Sequence, residues 1–173
     1  NSTDPLLEPL ADNGGDTQTH ALAGNSPAID AGTIKGVPDK DQRGKFRPQG
    51  LGYDIGAFER LPQLFFVNSI SGSDNALYDG SALLPWKTIS YTLSRDKVGN
   101  GDVITATGTF IEDGVSGDGI VVDKSVTITG VIGVPAVIKA DAVSATVSDR
   151  RCFTIAPGKT VSLVNMAISN GNA

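Results

Sequence analysis

The chain has 173 residues, 39% of them hydrophobic, with 21 Gly, 9 Pro and a net charge of −5. That apolar content suffices for a core and excludes wholesale disorder, while the absence of a Gly-X-Y period excludes collagen. The 14 Lys and Arg are scattered, which argues against nucleic acid or an anionic membrane as a partner, and no run of roughly 18 apolar residues offers a membrane span.

Residues 1–60 are dense in turn signals: Asp4-Pro5, Asn13-Gly14-Gly15, Gly24-Asn25-Ser26-Pro27, Gly36, Gly44 and Gly50. Short apolar pieces such as Ile55 to Phe58 predict at most brief strands. With so little contiguous apolar sequence, this loop-rich segment must lie against something else. Residues 61–63 form a junction, where Pro62 interrupts any strand.

The texture then changes. Leu64-Phe65-Phe66-Val67 predicts a strand over 64–68. Trp86, Ile89 and Leu93 fall at i, i+3 and i+7, which predicts a short amphipathic helix over 86–94. Beyond it run short β-branched pieces: Val103 to Phe110, Ile120 to Val122, Val126 to Ile128, Val137-Ile138, Phe153 to Ile155 and Val161 to Ile168. Two Lys-Ser/Thr-Val elements, at Lys124 and Lys159, repeat across 35 residues, compatible with one or two coils carrying loops.

Parallel strands ordinarily need helical crossovers, and no helix is predicted after residue 95. Stacked coils solve that problem, each coil pairing in parallel with the coils above and below. The helix would then lie over one end of the stack and hide its edge groups. The predicted fold class is all-β: a right-handed parallel β-helix (solenoid) over 64–173 with one short N-terminal capping helix, plus the loop-rich segment 1–60. An antiparallel sandwich is the alternative that regular short strands also fit.

For chemistry the chain offers little. Asp4, Asp12, Asp16, Asp30, Asp39, Asp41, Asp54 and Glu59 could supply oxygen ligands for calcium, but they are spread out and no Asp-x-Asx-x-Asx-Gly loop exists. They read instead as turn caps and as partners of Arg43 and Arg47, so no cofactor or metal is assigned, calcium remaining an option. His20 is the sole histidine, which leaves no His-based triad, and it suits a turn-fixing hydrogen bond. Cys152 stands alone, so no intramolecular disulfide forms, and Phe153 and Ile155 place it in or beside a strand. Strand faces carry Ser, Thr and Ala. Glu112, Asp113, Asp118 and Asp123 form only a loose acidic group, and adjacent Arg150 and Arg151 would point to different faces. No catalytic residues are assigned. Trp86 reads as core of the helix rather than as a sugar platform.

Two strings carry a resemblance. Asp4-Pro5-Leu6-Leu7, Ala11-Asp12-Asn13-Gly14-Gly15, Thr19-His20-Ala21-Leu22, Ser26-Pro27-Ala28-Ile29-Asp30-Ala31-Gly32, Asp41-Gln42-Arg43-Gly44, Arg47-Pro48 and Asp54-Ile55-Gly56-Ala57-Phe58-Glu59 resemble the closing segment of secreted bacterial parallel β-helix proteins of the choice-of-anchor type. Gly72-Ser73-Asp74, Pro85-Trp86-Lys87-Thr88-Ile89 and Gly101-Asp102-Val103-Ile104 resemble the N-terminal entry of pectin-lyase-like β-helices. The end of one such protein thus precedes the beginning of another.

The resemblance implies an extracellular, cell-surface location. It also implies a structural role, as a subunit or repeat of a fibre, sheath or adhesin stalk that stacks head-to-tail with copies of itself or adjacent repeats. A carbohydrate- or surface-binding module, with polysaccharide as partner, is the second expectation, and a polysaccharide lyase the third. No element after Ala173 is at hand to cover the last coil, so residues 1–60 of one unit are expected to close the β-helix of the preceding unit. The interface would comprise Leu6, Leu7, Ile29, Ile55 and Phe58 on one side and Val161, Leu163, Met166 and Ile168 on the other.

Overall fold

The computed structural model describes residues 3–111, 119–140 and 151–169. The chain divides into two compact units, Asn1–Gln63 with Asp96–Gly101, and Leu64–Arg95 with Asp102–Ala173.

In the first unit β1 (Leu7–Ala11) and β2 (Thr19–Leu22) pair antiparallel, with Leu10 opposite His20 and Ala11 opposite Thr19. The turn between them is held by side chains. The Asp12 carboxylate accepts from the Gly14 amide at 3.0 Å, and Asn13 Nδ2 donates to the Thr19 carbonyl at 2.8 Å. Ile55 to Phe58, where a brief strand was expected, forms none. Apolar core is scarce here: Leu22, Ala28 and Ile29 are buried together and Phe58 packs on them. Much of the rest of the interior is ionic, with Asp41, Asp54, Glu59 and Arg60 all buried.

The second unit starts with β3 (Leu64–Asn68) and α1 (Ile89–Leu93). The helix is shorter than its apolar spacing predicts. Thr88 caps it, its hydroxyl accepting from the Tyr91 amide, and Asp74 pins that cap by accepting from the Lys87 and Thr88 amides and the Thr88 hydroxyl. Trp86 lies outside the helix. Its amide donates to the Phe66 carbonyl and its carbonyl accepts from the Asn68 amide, so it serves as a one-residue parallel bridge beside Val67. Of the three residues at i, i+3 and i+7, Ile89 and Leu93 therefore share the helix, whereas Trp86 is buried without belonging to it. Gly80 fits against this bridge because a Cβ there would come within 2.6 Å of the Trp86 ring, at a φ of +78°.

Eight more strands follow: β4 (Val103–Thr107), β5 (Thr109–Ile111), β6 (Ile120–Val122), β7 (Val126–Gly130), β8 (Ala136–Lys139), β9 (Phe153–Ile155), β10 (Val161–Val164) and β11 (Met166–Ser169). Apart from the isolated antiparallel bridge between Val131 and Val134, every pairing between these strands among the described residues is parallel, which removes the antiparallel sandwich. The sheets are β3-β4-β7-β10, β5-β8-β11 and β6-β9. From β4 onward the chain therefore visits the first, second and third sheet in turn, returns to the first, and repeats. Burial alternates along β4, β7 and β8, with Ile104, Ala106, Ile128 and Ile138 fully or almost fully buried. The 35-residue repeat is structural: Val161 lies beside Val126 and Leu163 beside Ile128. No helix of the described residues is long and apolar enough to cross a membrane.

Candidate assembly surface

The stack of strands in the second unit has two unlike ends. At the β3 end the outer strand edge is occupied. Phe66 N–H donates to the Gly80 carbonyl at 2.8 Å, Trp86 N–H to Phe66 at 3.1 Å and Asn68 N–H to Trp86 at 2.8 Å. Phe65 stacks on the Trp86 indole at 5.6 Å between centroids, and Trp86, Ile89 and Leu93 are buried.

At the other end β9, β10 and β11 are each the last strand of their sheet among the described residues. Register shows what this means for the core. Leu163 pairs with fully buried Ile128 yet is 38% exposed, and Ile168 pairs with buried Ile138 yet is 51% exposed. Ile155 pairs with fully buried Val122 and is 49% exposed. Val161, Met166 and Phe153 are half-buried beside buried Val126, Ala136 and Ile120. These six positions continue columns that are buried one strand earlier, so among the described residues this end displays an apolar cross-section. Phe153 and Ile155 were missed as surface residues, although their alignment with Ile120 and Val122 was legible as part of the repeat.

Of the expected residues in the first unit, Leu6, Leu7 and Ile55 are exposed. Ile29 is not on the surface: it is 5% exposed and belongs to its unit's own small core, where Phe58 packs against it. Phe58 also carries the Arg43 guanidinium 3.5 Å from its ring centroid. Leu10, unassigned from sequence, is 54% exposed. It sits on β1, which is exposed along its whole length.

Asp41, Asp54, Glu59, Arg43 and Arg47 of this unit are engaged by one another and by backbone. Asp41 Oδ2 meets Arg43 Nη2 at 2.7 Å, and Glu59 Oε1 meets Arg47 Nη1 at 2.9 Å. Asp41 accepts further from the Arg43, Lys45 and Glu59 amides, Glu59 from those of Gln49 and Asp54, and Asp54 from those of Asp30 and Arg60. Burial alone would raise the Asp41 pKa, but the Glu59 amide, the Arg43 guanidinium and the other donors outweigh it and hold the carboxyl below its usual 3.8. Asp54 goes the other way. Burial pushes it up, its two amide donors oppose this, and the nearby Glu59 and Asp30 charges reinforce the rise.

The described residues contain no group of three or more His, Cys, Asp or Glu placed to hold a metal ion. His20 Nδ1 donates to the Glu8 carbonyl at 2.8 Å across the hairpin, and so locks β1 to β2. A cavity of about 460 Å³ in the first unit is lined in part by Phe58, Arg43 and Arg60, but both guanidinium groups donate to backbone carbonyls, those of Glu59 and Lys97. Trp86 is buried, with Nε1 donating to Tyr78. Cys152 is a buried thiol 3.6 Å from the Ser169 carbonyl. Glu112, Asp113, Asp118 and Arg150 lie outside the described residues. No family model, curated protein or solved structure matches this chain.

Proposed function

We propose that the second unit is a right-handed parallel β-helix and that the protein is a non-catalytic structural element of an extracellular fibre, sheath or adhesin stalk, joined head-to-tail with copies of itself or adjacent repeats through coil ends. The carrying observation is the open layer: Leu163, Ile168 and Ile155 stand exposed on columns that are buried one strand earlier. The cyclic visits to three parallel sheets support the coil, and parallel crossovers are right-handed in nearly all proteins. The engagement of Asp41, Glu59, Arg43 and Arg47 with one another and with backbone supports a structural use of the ionic residues.

Imaging and sedimentation of the purified chain over a concentration series test this reading: chains of end-joined particles are expected, and a monomer at every concentration counts against it. Incubation with acidic polysaccharides, with and without calcium, should release no unsaturated products. Turnover abolished by changing one basic residue would replace the structural reading with a lyase.

A further inference from the structure

We infer that the surface which covers the open layer is the acidic β1–β2 hairpin of a second copy of this chain. This rests on the end-stacking reading and adds which surface docks and what selects it. The open layer is apolar and basic: residues 151–169 contain Arg151 and Lys159 and no Asp or Glu. The β3 end of another copy is a poor occupant, because the Gly80 carbonyl and the Trp86 amide and carbonyl already pair with the backbone of Phe66 and Asn68 on its outer edge.

The hairpin has the complementary character. Residues 3–22 hold Asp4, Glu8, Asp12 and Asp16 with no Lys or Arg, and all four acids are exposed. The same segment presents Leu6, Leu7 and Leu10, the last two 50% and 54% exposed. Opposite charge would steer the encounter, and burial of the leucines over Val161, Leu163, Met166 and Ile168 would hold it. Pro9 lacks an N–H and interrupts any continuous ladder along β1, so side chains rather than an added strand make the contact. The two surfaces differ, which makes the contact heterologous and able to propagate.

The test mixes full-length chains carrying Leu10→Cys with full-length chains carrying Leu163→Cys under mild oxidation, the buried Cys152 being common to both. Both substitutions lie at exposed positions and preserve an apolar side chain, and circular dichroism checks that each variant folds. A disulfide joining the two variants is expected, formed in the mixture and not by either chain alone. Glu8→Lys should weaken self-association about tenfold, and Lys159→Glu in the partner should restore it, as opposite charges across an interface require. Self-association without the mixed disulfide, or Leu163→Cys chains joined to one another, overturns the hairpin as occupant while leaving end stacking intact. Loss of all association in the unmodified chain overturns both.

Discussion

Asp41 and Asp54 lie in the same polar interior with opposite responses to pH. The unfolded Asp41 titrates near 3.8 and the folded one lower, so ionised Asp41 contributes stability above about pH 4 that is lost as pH falls through the folded value. Asp54 is raised, so its contribution is present below 3.8 and lost as pH rises through its folded pKa. Asp41→Asn should therefore cost most near neutral pH, and its difference from the unmodified chain should shrink on acidification to about pH 3. Asp54→Asn should show the reverse trend. Urea unfolding at several pH values measures both, and parallel pH profiles for the two variants would show that these carboxyls are not the titrating pair. Which acids were structural could be suspected from their residue types, but the partners could not. Arg47 meets Glu59 twelve residues on because a chain of turns returns there, and no local pattern encodes that return.

At the scale of elements, legibility followed the strength of local alternation. β3, β6 and β9 begin and end where their β-branched or aromatic runs do, because such residues suit a pleated, half-buried surface. The runs Val103 to Phe110 and Val161 to Ile168 each divide in two, and the break falls at a residue of positive φ, Gly108 or Asn165. Glycine at such a corner is readable; Asn165 less so, since asparagine suits many positions. β1 and β2 escaped notice because Leu-Glu-Pro-Leu-Ala has neither alternation nor β-branched residues; their pairing, the Asn13 clamp and the His20 bond define them instead. Helix α1 buries Ile89 and Leu93, and Lys124 Nζ donates to the Leu93 carbonyl nearby. Ile89→Asp or Leu93→Asp should destabilise the second unit by a few kcal/mol, the scale of an unpaired charge in a core. The single Trp86 lies beside Tyr91 at 6.1 Å and reports the change directly, so an unaltered thermal midpoint in Trp emission would mean that the helix covers no core.

On the whole-molecule scale the chain combines two ways of filling an interior. The second unit relies on stacked aliphatic columns, which follow from alternation and repeat and so were visible in sequence. The first relies on ion pairs and amide donors around a core of a few apolar side chains, an arrangement fixed only by the fold. These interiors should fail differently. Glu59 is fully buried and bonds to Arg47 and to the Gln49 and Asp54 amides, so Glu59→Ala leaves an unpaired guanidinium and orphaned donors, at a cost of about 3 kcal/mol. Ile128→Ala instead opens a cavity in the columns, at a similar cost of about 3 kcal/mol. Because the only tryptophan belongs to the second unit, its emission separates the two. Ile128→Ala should shift the Trp86 transition. Glu59→Ala should leave that transition nearly in place and advance loss of protection at amides in the first unit, those of Arg43, Asp54 and Arg60 among them, followed by hydrogen exchange. Equal shifts of the Trp86 midpoint in both variants would mean that the two interiors melt as one cooperative body, and the division into separately stabilised units would be wrong.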